Sequence, residues 1–175
     1  MATPLPYLLV DGYNIIGAWL HLKEEAEKFG LEVARTTLLE ELINFASQAD
    51  FQTCVVFDAY TQRTPGTEEI LTENLSAYFT DFGQTADTYI EKVCATIRHQ
   101  PRRVLVATSD QAQRHTVVGY GAEWLSAAQL LNELEASNRQ RRLKQRARKK
   151  ARNNLFFNSD SKVQQQLERW RHGIS

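Results

Sequence analysis

Three apolar runs in this chain each stop at an acidic residue, and that repeated ending constrains the fold more than any other feature. Tyr7-Leu8-Leu9-Val10 is followed by Asp11-Gly12-Tyr13-Asn14. Thr53-Cys54-Val55-Val56-Phe57 stops at Asp58, and Val104-Leu105-Val106-Ala107 stops at Thr108-Ser109-Asp110. Short apolar runs without polar alternation are the pattern of strands buried on both faces, as in a parallel sheet. In open α/β sheets the carboxyl ends of parallel strands share one edge, where ligands bind. Three aspartates are therefore expected on one edge.

The segments between these runs read as connections. Val33, Thr37, Leu38, Glu41, Leu42 and Phe45 recur near a 3.6 period, which predicts a crossover helix from about Glu32 to Ala49. Before it, Ile15 to Lys28 reads as a short helix and an irregular connection. Tyr60 to Gly66 carries loop residues and is expected to be a mobile loop near the edge. Glu68 to Leu75 reads as a short helix, and Ala77 to Phe82 as a strand ending at the Gly83 turn. Thr85 to Gln100 is a helix with Thr85 as N-cap and Ile90, Val93, Cys94 and Ile97 facing the sheet. A helix from Asp110 to about Gly119 and an edge strand at Gly121 to Leu125 follow. From Ser126 a helical pattern with Leu130, Leu131 and Leu134 runs into a basic segment, and Ser161 to Arg171 reads as a final short helix. The fold class is α/β, with a central, mainly parallel sheet.

Asp87 is the fourth acid of interest. At 100° per residue it lies about 20° from Cys94 and about 60° from Ile90, inside the arc that faces the sheet, with Glu91 about 40° to its other side. An aspartate that only answered the helix dipole would not need that arc. Carboxylates ~4 Å apart repel by about 4 kcal/mol per pair at an effective dielectric near 20, a cost on the scale of a domain's whole stability. A divalent cation removes it. Asp11, Asp58, Asp87 and Asp110, with Glu91, form an oxygen-only donor set that suits Mg²⁺ or Mn²⁺. His21, His99, His115 and His172 are scattered and offer no softer site. Such a site can activate water and stabilise the leaving oxygen of a phosphodiester. Asn14, three residues past Asp11, is placed to orient Asp11 or a water.

The formal net charge of zero conceals a division. Residues 1–138 hold 9 Lys/Arg against 19 Asp/Glu, a net of −10, whereas 139–152 hold nine basic residues and no acid. These are Arg139, Arg141, Arg142, Lys144, Arg146, Arg148, Lys149, Lys150 and Arg152. A one-signed helix without aromatics suits backbone phosphates rather than base edges. We therefore divide the chain into a nuclease-like domain at 1–136 and a basic helical arm with a C-terminal helix at 137–175. No run approaches the ~20 apolar residues of a membrane span, and Met1 to Pro6 is too short for a targeting peptide. Cys54 and Cys94 sit inside apolar patterns, as in a reducing cytosol. The expected location is a reducing cytosol, the compartment where the chain is made.

Several motifs carry a resemblance. Leu9-Val10-Asp11-Gly12-Tyr13-Asn14-Ile15-Ile16-Gly17, Val55-Val56-Phe57-Asp58-Ala59, Thr85-Ala86-Asp87 with Ile90-Glu91-Lys92, Val106 to Asp110, and Glu168-Arg169-Trp170-Arg171-His172-Gly173 resemble the YacP-like NYN-domain family of PIN-related ribonucleases. The resemblance implies a PIN-like α/β/α sandwich, metal-dependent endoribonuclease activity and ribosome association, with messenger RNA cleaved during translation. It sets the catalytic acids at Asp11 and Asp87, with Asp58 and Asp110 completing the cluster. Departures are expected at Thr61 to Thr67 and Asn153 to Lys162. The rival is a ribosome- or RNA-binding protein with a vestigial acidic site. A small-molecule phosphotransferase is disfavoured, because Tyr13 stands where a second aspartate would follow Asp11 and no Gly-rich phosphate loop is present.

Overall fold

The computed structural model describes residues 4–59 and 65–171, with side chains through 153. Its elements run β1 (Tyr7–Asp11), α1 (Gly12–Ala18), α2 (Leu20–Phe29), α3 (Leu31–Ala49), β2 (Gln52–Phe57), β3 (Thr67–Thr72), β4 (Leu75–Phe79), α4 (Ala86–Ile97), β5 (Val104–Ala107), α5 (Gln111–Gly119), β6 (Glu123–Leu125) and α6 (Ala127–Arg171). The six strands lie in the order β3-β4-β2-β1-β5-β6, and only β3 runs antiparallel to its neighbour. Contacts divide the chain after Ser137 into two units. In the first unit, helices cover both faces of the sheet.

Strand alternation sorts the core. Leu8, Val10, Val55, Phe57, Leu105 and Ala107 face α1, α2, α3 and the first turns of α6, through Ile16, Trp19, Leu22, Leu38, Leu42 and Leu130. Leu9, Cys54, Val56 and Val106 face α4 and α5, through Ile90, Cys94 and Val117. Consecutive strand residues thus feed opposite layers, the reason these runs show no polar alternation. Both cysteines are buried thiols, in keeping with the reading above.

Four local expectations are corrected. Ile15 to Lys28 is helical almost throughout; α1 and α2 are parted by Trp19 alone, whose backbone is extended at φ −86°, ψ 119°. The Trp19 ring is buried and its indole N–H donates to the Ala127 carbonyl at 2.8 Å. Glu68 to Leu75 is not a helix: β3 and β4 form a hairpin about Glu73 and Asn74. Its residues are largely exposed, so no burial period marked the strand, and pairing with β4 decides its state. The last helix is not separate, since the α6 backbone continues to Arg171; no Gly or Pro interrupts 122–172. The strand expected at Ala77–Phe82 starts two residues earlier and ends at Phe79. Tyr60 to Thr64, most of the expected site loop, lie outside the described residues.

Candidate active site

The central strands deliver their acids to one edge. Asp11 ends β1 and also N-caps α1, its Oδ1 accepting the Asn14 N–H at 3.3 Å. Gly12 must follow, because a Cβ there would collide with the Phe57 ring. Asp58 succeeds β2 and accepts the Ala86 N–H, which ties the strand end to the start of α4. Thr80 reinforces that junction, its Oγ1 accepting the Ala59 N–H at 3.0 Å. With α4 started by the Thr85 cap, Asp87 falls in its first turn, over the sheet.

On the other side of β1, the β5 end is held by side chains. Asn14 Oδ1 accepts both the backbone N–H and the hydroxyl of Ser109, each at 2.7 Å. The Thr108 carbonyl accepts the Trp124 indole N–H at 2.9 Å, and the Thr108 hydroxyl accepts the Asp110 N–H at 3.0 Å. Asp110 then caps α5, taking the Ala112 and Gln113 N–H groups at 2.7 and 3.2 Å. The Asn14 side chain therefore joins β1 to β5, while its backbone N–H is what touches Asp11.

Asp11 and Asp87 are the acids on which the others act. Asp11 is only 8% exposed. Burial is the largest cause that lifts its carboxyl to about 7; the charges of Asp87 and Asp58 and a hydrogen bond with the Asp87 carboxyl add to it, against the Asn14 N–H. Asp87 is also raised, first by burial and then by Asp110, Asp58 and Glu91, against its hydrogen bond with Asp11. Asp11 and Asp87 thus form a close carboxyl pair inside the field of the other three, and none of these influences comes from a cation. Among the described residues no three His, Cys, Asp or Glu side chains stand in metal-holding geometry. Asp58 and Asp110 each have an oxygen committed to backbone N–H groups.

Motif reading did not pick out Ser109 or Trp124 as struts, nor Arg35. The available signal for Arg35 was a cation adjoining the buried stripe of α3 at Ala34, Leu38 and Leu42. The basic residues of 139–152 are mostly exposed on α6, with Arg141 more covered. No described helix is long and apolar enough to cross a membrane.

The whole chain is similar to known proteins. The YacP-like NYN domain matches residues 8–172. "Uncharacterized protein YacP" of Bacillus subtilis (strain 168) is 35% identical over 170 residues, 95% of this chain and 96% of that protein. The crystal structure of Rae1 (YacP) from Bacillus subtilis superposes with a TM-score of 0.72 at 31% identity, covering 97% of this chain and 96% of the other. A point mutant of Rae1 matches at 0.67 and 35% identity over 83% of each chain. The chain belongs to the YacP-like NYN-domain family, a domain of nuclease type.

Proposed function

We propose that this protein is a metal-dependent endoribonuclease that hydrolyses RNA phosphodiester bonds, with messenger RNA on the ribosome of a bacterial cytosol as its substrate. The observation that carries the reading is the pairing of Asp11 with Asp87 under the repulsion of three further acids. The donor set is oxygen only, and a hard cation such as Mg²⁺ or Mn²⁺ is commonly held by one or two carboxylates, with water and phosphate oxygens completing its shell. Asp11 and Asp87 would hold it; Asp58, Asp110 and Glu91 would deepen the field. When bound, such a cation stabilises charge on phosphate oxygens and lowers the pKa of water.

The chain's own residues do the rest. Ionised, Asp11 and Asp87 would orient the attacking water beside the phosphate, and the proton that water loses passes to solvent. The water oxygen bonds to phosphorus as the bond to the leaving nucleotide breaks, and the leaving oxygen takes a proton from solvent. Asn14 keeps the β1 and β5 ends in register during this exchange. Arg139 to Arg152 would neutralise phosphates of messenger or ribosomal RNA, which an acidic edge would otherwise repel.

Purified protein should be incubated with free and ribosome-bound messenger, with and without Mn²⁺ or Mg²⁺. Cleavage should require the cation and vanish in the Asp11→Asn, Asp87→Asn double variant. Undiminished cleavage by that variant would sink the nuclease reading. Salt-sensitive binding with no cleavage under any condition would leave an RNA- or ribosome-binding protein.

A further inference from the structure

Arg35 is the only basic residue of α3, and it is held in an unusual way. Its guanidinium lies over two aromatic rings, with centroids at 5.2 Å for Phe79 and 5.9 Å for Phe57. Nη1 also donates to the Tyr13 hydroxyl at 3.4 Å. The rings are themselves ordered: Phe57 stacks on Phe79 at 5.6 Å, and Tyr13 meets Phe57 edge-on at 5.2 Å. Among the described residues no carboxylate pairs with Arg35, although acids outnumber bases 19 to 9 over residues 1–138. Nor does Arg35 figure among the charges acting on Asp11 and Asp87, so it is not their counterion.

Its position is set by chain neighbours. Tyr13 lies two residues past Asp11, Phe57 immediately precedes Asp58, and Phe57 and Phe79 are register partners at the ends of β2 and β4. The cluster therefore stands on the carboxylate edge, on the α3 side of the sheet, whereas Asp87 comes from the α4 side. Chemically it offers donors. A guanidinium has five N–H groups and no acceptor, and the Tyr13 oxygen accepts from Arg35, leaving its own O–H to donate elsewhere. Guanidinium and phenol side by side make a receptor for a phosphate oxygen. The aromatic bed holds the cation at that spot by cation–π attraction, so that it stays clear of the nearby acids.

We propose that Arg35 and the Tyr13 hydroxyl bind a phosphate of the RNA backbone next to the one presented to Asp11 and Asp87. The inference rests on the nuclease reading and adds to it a residue that fixes the strand's path across the edge. A strand held both there and at the acids is bound at two points across the edge, a contact made equally before and during the reaction.

The test uses the full chain and a fluorescent single-stranded RNA. Arg35→Gln should raise KM about tenfold and leave kcat within about twofold, and Tyr13→Phe should raise KM about threefold. In an Asp87→Asn background, Arg35→Gln should reduce the slope of log affinity against log salt by about 0.7, one phosphate contact on a single strand. Arg35→Lys should restore the slope without restoring full affinity, since it keeps the charge and loses the fork. An Arg35 that only packs on the rings would lower the melting temperature of Arg35→Gln and leave slope and KM alone; that result overturns the proposal. If Arg35→Gln does not fold, Arg35→Lys at wild-type affinity together with Tyr13→Phe at wild-type KM overturns it equally. If the wild type cleaves no RNA, the nuclease reading fails by itself, and the binding slopes still decide whether Arg35 meets a phosphate.

Discussion

The acidic edge and the basic arm carry opposite charge and are specified in opposite ways. At the edge, Asp11 ends β1, Asp58 follows β2, Asp87 sits in the first turn of α4 and Asp110 caps α5; Asp11, Asp58 and Asp110 accept backbone N–H groups, and Asp87 bonds the Asp11 carboxyl. Moving Asp11 by one residue along β1 would turn it to the other layer. From Arg139 to Arg152 the residues are mostly exposed on a single helix. The edge depends on geometry, whereas the arm depends on composition.

That contrast can be broken most sharply at the edge. Asp87→Asn changes one atom, and should lower cation-dependent RNA cleavage by ~10³-fold or more while binding shifts by no more than about threefold. Equal losses of cleavage and binding would show that the edge, too, works by bulk charge. For the arm, changing Arg146, Arg148, Lys149, Lys150 and Arg152 to Gln should weaken RNA binding by ~10²-fold at 0.15 M salt and flatten the salt slope. Reordering residues 139–152 at constant composition should preserve both; a large loss would mean that the arm reads position.

Smaller effects sharpen the picture. Asn14→Ala removes two hydrogen bonds to Ser109 and is expected to cost about 1–2 kcal/mol in chemical denaturation and about tenfold in cleavage. Asp11→Asn keeps the helix cap and removes a buried charge. With its folded pKa raised to about 7, the wild-type carboxyl binds more protons folded than unfolded between the ordinary carboxylate range and that value. Wild-type stability should therefore fall as pH rises through that window and level off above it. Asp11→Asn should be more stable than wild type at pH 8 without divalent ions by roughly 1–3 kcal/mol, and the gap should close as pH falls to about 4. Adding Mn²⁺ at pH 8 should stabilise the wild type and leave Asp11→Asn unmoved, as followed by thermal melts.

The sheet was legible because burial on both faces left uninterrupted apolar runs at 7–10, 53–57 and 104–107, and their endings announced the edge. The meeting of Asp11 and Asp87 was legible too, since helical spacing turned Asp87 inward. Other features had no local trace. β3 is exposed along its length, so its strand state depends on β4. The α1–α2 break falls at Trp19, whose indole N–H donates to a carbonyl at Ala127, far along the chain. Asn14 could be suspected of a role, but its partner Ser109 is set by the β1–β5 register. Arg35 was hidden because its three aromatic partners lie on three other elements.

The strand order carries one more implication, for the moment of synthesis. β1 is made first and ends up between β2 and β5, and Asn14 finds its partner only once Ser109 exists. A nascent polypeptide that has emerged no further than β2 holds Asp11 and Asp58 with neither Asp87 nor the clamp opposite. The acidic edge is therefore completed late, only after β5 and the residues that follow it have been made.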